Sequence, residues 1–379
     1  MKRTHTVPLG SAFASDRADA RWMRRALSLA ARGAGQVSPN PLVGAVVVRD
    51  GTIIGEGWHV RFGEAHAEVN ALRAAGDGAR GATLYVTLEP CDHTGKTPPC
   101  TQAIVHAGVA RVVYAVADPN PVATGGAQRL RNAGLSVTAG VLGSAVAEQN
   151  AAFLSSARGA LRPWITLKLA VSLDGAIADY TRKPDWITGP RARRAVHALR
   201  AANDAVAVGI GTALADDPAL TVRHGPHPRV PPMRIVFDHH ARLPLDSHLA
   251  RTARETPLVL VVSPAPLDDA ERERRDALET RGVTLLRSGT AAEALGALKV
   301  RGINSLLVEG GAGLASELVG TNLVDRLIIF QGSVILGGGA LPAFAALPPQ
   351  TVAEARRWRV IARRTLGDDT MTSYAVSEL

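Results

Sequence analysis

The sequence predicts two α/β domains in one chain, and three observations carry that prediction. Strand-like and helix-like patterns alternate from one end to the other, as α/β architectures require. The chain has 379 residues, more than one ordinary domain holds. Hydrophobic residues are 46% of the total, enough for two cores, and with aromatics at 4% those cores must be built from Ala, Val and Leu.

The elements follow in order. Residues 16–33 read as a helix: Trp22, Ala26, Leu29 and Ala30 share a face, and Gly33 suits the C-terminal stop. Residues 42–49 are an apolar, β-branched run, and Asp50-Gly51 is a two-residue hairpin signal that returns it through 52–59. A helix over 66–75, a strand over 82–88, a loop over 89–99, a helix over about 98–106 and a strand over 111–117 complete the first pattern. The small-residue stretch 155–161 marks a boundary. The second pattern opens with a strand, Trp164–Val171, leading into Ser172-Leu173-Asp174-Gly175. Strands recur at 205–208, 234–238, 258–263, 283–287, 305–308 and 326–331, with helical patterns between most of them; 225–232 is a Pro-rich surface loop. The expected organisation is a flexible tail over 1–15, a first domain over 16–155 and a second over 160–379.

Composition narrows the function. No apolar run reaches about 18 residues, so no transmembrane helix is expected. The start of the chain carries Lys2 and Arg3 but no apolar h-region, so it does not read as a signal peptide, and a cytoplasmic location follows. Two cysteines make no disulfide framework; a metal or catalytic role is the alternative. The net charge of +9 fits nucleic acid, a phosphorylated small molecule or a generally basic protein. The basic residues are mostly Arg and spread along the chain without an aromatic-interleaved stripe, which favours the last two readings.

The chemistry concentrates in His66-Ala67-Glu68, Pro90-Cys91 and Pro99-Cys100. One imidazole and two thiolates suit Zn²⁺ and leave its fourth position for water, the catalytic arrangement. Such a metal lowers the pKa of its water from 15.7 toward about 7. Glu68, two residues from His66, is placed to move protons instead of binding metal. An H-x-E motif followed by P-C-x-x-C is the signature of zinc deaminases, with that Glu as general acid and base; here a Pro precedes each cysteine. Pro98-Pro99 opens a helix at Cys100, whose N-terminus favours a thiolate. Iron or cobalt also suits these ligands. A closed structural site would need a fourth ligand, and His93 is the candidate.

Eight residues separate Cys91 from Cys100, more than in the shortest form of the motif. Glu89-Pro90-Cys91-Asp92-His93-Thr94-Gly95-Lys96-Thr97-Pro98-Pro99-Cys100 resembles the loop of the bifunctional riboflavin-biosynthesis deaminase–reductases. So do Pro39-Asn40-Pro41-Leu42-Val43-Gly44, Gly63-Glu64-Ala65-His66-Ala67-Glu68 and Asp118-Pro119-Asn120-Pro121. The resemblance implies a cytidine-deaminase-like domain that removes an amino group from a phosphoribosylated diaminopyrimidine. It places Asn40, His59 and Lys96 around the substrate, with Lys96 suited to the phosphate.

The second domain has no G-x-G-x-x-G after its first strand, so a Rossmann dinucleotide site is not supported. Val308-Glu309-Gly310-Gly311-Ala312-Gly313 is a strand running into glycines and a helix, a place where N–H groups cradle phosphate. Gly337-Gly338-Gly339 is a second cluster of that kind. The family resemblance continues through Leu167-Lys168-Leu169-Ala170-Val171-Ser172-Leu173-Asp174-Gly175, Trp186-Ile187-Thr188, Ala215-Asp216-Asp217-Pro218 and Leu220-Thr221-Val222-Arg223. It implies a dihydrofolate-reductase-like domain that uses NADPH to reduce the ribosyl group to ribityl. Ala170, Trp186, Thr212, Asp216 and the stretch Gly311, Ala312, Gly313, Leu314, Ala315, Ser316 and Glu317 would contact NADPH. Pro184, Arg200, Leu220, Arg223 and Glu309 would meet the substrate. Pro184 and His239 stand where the family usually has Ser, Gly313 where it has Thr, and the stretch after Pro121 is one residue short. The expected enzyme binds zinc and NADPH, takes a phosphorylated pyrimidine, needs neither nucleic acid nor membrane, and forms a homo-oligomer. A deaminase with an impaired reductase and a nucleic-acid-editing deaminase are the alternatives.

Overall fold

The computed structural model describes residues 9–120, 124–266 and 268–376, with side chains from Arg17 onward. The chain divides into two compact units, Met1–Gly159 and Ala160–Leu379.

The first unit opens with α1 (Leu9–Ala30). This helix begins before Asp16, so part of the segment expected as a tail is helical; residues 1–8 lie outside the described residues. Trp22, Met23, Ala26, Leu29 and Ala30 form its buried face at the spacing an amphipathic helix demands. There follow β1 (Gly44–Arg49), β2 (Thr52–Trp58), α2 (Ala67–Ala75), β3 (Thr83–Leu88), α3 (Cys100–His106), β4 (Arg111–Val116), α4 (Gly126–Asn132), β5 (Ser136–Ala139), α5 (Gly143–Gln149) and α6 (Ala151–Ala157). Asp50 and Gly51 both take positive φ, 52° and 71°, the turn geometry that Asp-Gly favours between antiparallel strands. Among the described residues the sheet order is β2-β1-β3-β4-β5. β1 runs antiparallel to β2 and β3, whereas β3, β4 and β5 are parallel. This register brings the start of β1 and the ends of β2, β3 and β4 to one edge of the sheet. His59, Glu89 and Asp118 continue directly from three of those strand ends.

The second unit contains β6 (Trp164–Val171), β7 (Ala176–Ala178), α7 (Pro190–Ala201), β8 (Ala205–Gly209), α8 (Ile210–Asp216), β9 (Met233–Phe237), α9 (His248–Arg251), β10 (Leu258–Val262), α10 (Asp269–Thr280), β11 (Thr284–Arg287), α11 (Ala291–Val300), β12 (Ser305–Glu309), α12 (Ala312–Gly320), β13 (Arg326–Gln331), β14 (Leu341–Pro342), β15 (Trp358–Leu366) and β16 (Asp369–Val376). Its main sheet has the order β11-β10-β9-β8-β12-β6-β13-β16-β15. The strands are parallel from β11 to β13; β16 and β15 close the sheet as an antiparallel hairpin. Ile165, Leu167, Leu169, Leu306 and Val308 pack on one face of the sheet and Val206, Val208, Val236 and Leu307 on the other, as a parallel sheet covered on both faces requires. Arg359, Arg363 and Arg364 stand exposed on β15, the edge strand, and Arg356 and Arg357 just before it.

Candidate active sites

In the first unit His66 is the residue before α2, not its first turn; its backbone is extended (φ −72°, ψ 165°) and its side chain makes no capping bond. The imidazole is thereby free to turn toward the cysteines. Cys91 follows the end of β3, and Cys100 is the first residue of α3, with Pro99 ahead of the helix. The structure carries no ligand, so fit is judged on the donors. Zn–S bonds of about 2.3 Å and Zn–N bonds of about 2.0 Å in a tetrahedron require N···S edges of about 3.5 Å. His66 Nδ1 lies 3.3 Å from Cys100 Sγ and 3.6 Å from Cys91 Sγ. All three donor atoms fall within 4.8 Å of one another. Among the described residues this group has no fourth protein ligand, so His93 does not close it. The residues fit a three-ligand zinc.

The electrostatics agree. The Cys100 sulfur and His66 hold the Cys91 thiol down, at about 4, as a ready thiolate. Cys100, bonded to that thiolate and buried, keeps its proton in the metal-free protein. Glu68 is buried in the first turn of α2, 3% exposed. Burial lifts its carboxyl to about 7, against the pull of His66. A group poised there both takes and gives a proton at neutral pH.

These residues open into a cavity of about 240 Å³, lined also by Asn40, His59 and Lys96. His59 Nδ1 lies 3.3 Å from the Ala65 carbonyl and its Nε2 3.2 Å from Asn40 Nδ2. Burial keeps this imidazole neutral. The Ala65 carbonyl accepts a hydrogen bond from Nδ1–H, so Nε2 is the acceptor for the Asn40 amide. Lys96 Nζ sits 4.1 Å from the centroid of the Phe62 ring.

Several lining residues were not singled out as site residues from the sequence: Phe62, Glu64, Glu89, Asp118, Asn120 and Phe153. Asp118 and Asn120 belong to a motif that the resemblance includes; Pro121 lies outside the described residues. Phe153 comes from α6, where no local signal points to a site. Glu89 has a supporting role. Its carboxylate accepts from Ala127 N at 2.9 Å and Asp118 N at 3.4 Å. A Cβ on Gly126 would stand 1.8 Å from the Pro90 carbonyl oxygen, so only glycine lets α4 press against the strap that carries Cys91.

In the second unit Ala170, Thr212, Glu309 and Gly311 gather at or just beyond the carboxyl ends of β6, β8 and β12, which are neighbours in the sheet. The strand order reverses there, and α/β sheets bind ligands at such points. A Cβ on Gly311 would lie 2.8 Å from Thr212 Oγ1, which shows how closely the two turns approach. The N–H groups of Ala312, Gly313 and Leu314 open α12, whereas that of Ala315 already binds the Gly311 carbonyl. Leu314, Ala315 and Ser316 turn their side chains into the protein. Only the first turn of the stretch Gly311–Glu317 therefore offers donors to a phosphate.

Arg200 forks onto Glu309, with Nε–Oε1 at 2.5 Å and Nη2–Oε2 at 2.9 Å. Burial pushes the Glu309 carboxyl up, and Arg200 more than reverses it, leaving it below the ordinary range. Arg200 Nη1 also donates to the Thr221 carbonyl at 2.9 Å, next to Leu220. The Leu220 side chain is 1% exposed and packed in the core, so its backbone is what remains for a ligand. Arg223 is exposed, and its N–H donates to His197 Nδ1 at 3.2 Å. Lys168 pairs in register with Glu309. Burial lowers its pKa, opposed by Glu309 and Asp216. This lysine was not singled out as a site residue in the sequence. Pro184 and Trp186 stand exposed before α7, Trp186 with the Arg193 guanidinium 4.7 Å from its ring. The second glycine cluster is not a phosphate cradle. Gly337 N and Leu336 N donate to the Asp174 carboxylate at 2.8 and 3.2 Å. These bonds and the Ser172 hydroxyl hold that carboxyl down at about 2.

Comparison with known proteins identifies the two units. Residues 16–116 match the cytidine and deoxycytidylate deaminase zinc-binding region, and residues 163–372 match the RibD C-terminal domain. The chain is 40% identical to the riboflavin biosynthesis protein RibD of Aquifex aeolicus, across 94% of this chain and 98% of that one. The chain belongs to the RibD family. RibD of Escherichia coli is also 40% identical, over 93% of this chain and 97% of the other. The structure of Acinetobacter baumannii RibD superposes with a TM-score of 0.80 at 37% identity, covering 96% of this chain and all of that one. A diaminohydroxyphosphoribosylaminopyrimidine deaminase/5-amino-6-(5-phosphoribosylamino)uracil reductase from Thermotoga maritima gives 0.81 at 34%, with coverage of 96% and 100%. The first unit is thus a cytidine-deaminase-like domain and the second a dihydrofolate-reductase-like RibD reductase domain. The chain is a bifunctional deaminase–reductase of riboflavin biosynthesis. Among the described residues no helix is long and apolar enough to cross a membrane.

Proposed function

We propose that this chain deaminates 2,5-diamino-6-ribosylamino-4(3H)-pyrimidinone 5′-phosphate at the first site and reduces the ribosyl group of the product to ribityl with NADPH at the second. The observation that carries the reading is the convergence of His66, Cys91 and Cys100 on one point, with the buried Glu68 carboxyl beside it. His66, Cys91 and Cys100 hold zinc, which when bound makes water a competent nucleophile near neutral pH.

Glu68 takes a proton from the attacking water and delivers it to the ring nitrogen. It then takes the second proton from the newly attached hydroxyl and passes it to the departing amine, so the C–N bond breaks, the hydroxyl becomes a carbonyl and ammonia leaves. The Asn40–His59 pair, with the His59 ring 5.4 Å from that of His66, orients the pyrimidine beside the zinc ligands. Lys96, at the mouth, meets the phosphate.

In the reductase, NADPH when bound supplies hydride. Ala170, Thr212, Asp216 and the N–H groups that open α12 hold the cofactor. Glu309, kept ionised by Arg200, accepts from sugar hydroxyls. Arg223 binds the phosphate, and Lys168 supplies a proton beside the sugar. Pro184 presents no hydroxyl to the substrate.

The test is an assay of the zinc-loaded chain with the diaminopyrimidine ribosyl phosphate, with and without NADPH. Ammonia release is expected in both cases. NADPH oxidation is expected only after deamination. Ammonia release without any NADPH consumption would remove the reductase half of the reading.

A further inference from the structure

We infer that Phe62 is a positioning residue that holds Lys96 ready for the substrate phosphate, which makes this ring a determinant of specificity for phosphorylated substrates. The inference rests on the proposed role of Lys96 in the deaminase site.

Lys96 stands near the middle of the loop between the two cysteines. The foot of that loop is tied down. Asp92 accepts from Thr101 Oγ1 at 2.6 Å and pairs with Arg129 at 3.1 Å. The tip has only a short internal bond, Gly95 N to the Thr97 carbonyl at 3.2 Å. An exposed lysine on such a tip samples many rotamers, and a ligand that captures it must meet that entropy cost.

The opposite lip of the cavity supplies the restraint. Lys96 Nζ lies 4.1 Å from the Phe62 ring centroid, and a Cβ added to Gly63 would touch the lysine stem at 3.8 Å. Phe62 is itself held, its N–H donating to the Gln36 carbonyl at 3.1 Å. Phe62 and Gly63 lead directly into Glu64-Ala65-His66, so the ring and the metal-ligating imidazole share one short segment, turned back at Arg61 by the Glu64 N–H to Arg61 carbonyl bond of 3.0 Å. A cation over an aromatic face is attracted to it without giving up its N–H donors. Lys96 makes no ion pair among the described residues, so those donors remain for an anion.

Ammonia release is measured on the zinc-loaded full chain without NADPH, using the ribosyl phosphate and the same compound with its phosphate removed. The variants are Phe62→Leu, which keeps apolar volume and loses the π face, Phe62→Tyr, which keeps both, and Lys96→Met. Phe62→Leu is expected to raise KM for the phosphorylated substrate about two- to fivefold. The dephosphorylated compound should show no such rise, the change should fall on KM and not on kcat, and Phe62→Tyr should restore the wild-type value. In a Lys96→Met background Phe62→Leu should add nothing. An equal KM rise for both substrates, or an undiminished effect of Phe62→Leu in that background, overturns the role given to Phe62 while leaving Lys96 in place. If Lys96→Met itself leaves the preference for the phosphorylated substrate intact, the phosphate reading of Lys96 falls first, and this inference with it.

Discussion

The two sites are assembled in different ways. In the deaminase domain the metal ligands and the proton carrier come from two short stretches, His66–Glu68 and Cys91–Cys100, each docked at one edge of a five-stranded sheet. In the reductase domain the comparable residues come from strand ends far apart in the chain: Ala170 near the end of β6, Thr212 after β8 and Glu309 at the end of β12, with Arg200 reaching in from α7. The first site is specified by spacing and by an imidazole and two thiols, a donor set that points to a metal. The second is specified by sheet order and uses residue types found on any protein surface. A local site advertises itself; a distributed one has to be folded to be seen.

The contrast predicts how each site breaks, beginning with the largest effect. Glu68→Gln should lower deamination by about 10²–10⁴-fold, the range of general acid–base catalysis. Bound zinc, measured by metal analysis, and NADPH oxidation with the pre-deaminated intermediate should both persist. Normal ammonia release by this variant would defeat the proton-transfer role.

Arg200→Met should act through stability. It strands a buried carboxylate, a loss of about 3 kcal/mol or more, which Lys168 beside Glu309 offsets in part. The same pair sets a pH dependence. Arg200 holds the folded-state carboxyl of Glu309 below its ordinary value near 4.5. Between the two values the unfolded chain binds the proton and the folded one does not. The contribution is therefore fully present above about pH 4.5 and disappears as pH falls through the lower, folded value. Amide exchange in β6 and β12 should accelerate below that point in the wild type and already be fast in Arg200→Met. Unchanged protection in the variant would show that the pair adds nothing.

Gly126→Ala should have a smaller effect, centred on the deaminase. A methyl group 1.8 Å from the Pro90 carbonyl forces α4 off the cysteine strap, an overpacking cost of about 1–3 kcal/mol. Zinc should be lost to a chelator faster than in the wild type, with the reductase unaffected. Equal chelation rates would place the strap's support elsewhere.

The same difference explains what was legible. The hairpin at Asp50-Gly51 and the buried face of α1 could be read because local backbone preference and burial point the same way. The three metal ligands and Glu68 could be read because few chemistries need that set. The hairpin of β15 and β16 was missed, although Gly367-Asp368 sits at its turn. Its first strand is largely exposed on both faces and so lacks the alternation that marks a half-buried strand. Phe62 and Phe153 looked like ordinary apolar residues. Lys168 sits in an apolar run where its charge signalled nothing until the register set it beside Glu309.

By itself the sequence determined the α/β class, grouped His66, Cys91 and Cys100 as candidate zinc ligands beside Glu68, and, through the loop between the cysteines, carried a resemblance to the family later established by comparison. These depend on periodicity and on residue type at short spacing, which the chain carries before it folds. Tertiary structure alone decided that His59 is a neutral acceptor for Asn40, that Glu309 is ionised by Arg200, and that only the first turn of α12 is open to a phosphate. It also returned the Gly337 turn to a structural role. The physical reason is common to all four. A proton's position, a buried charge and a free N–H group depend on which partners lie within about 3 Å, and those partners come from residues that only folding brings together.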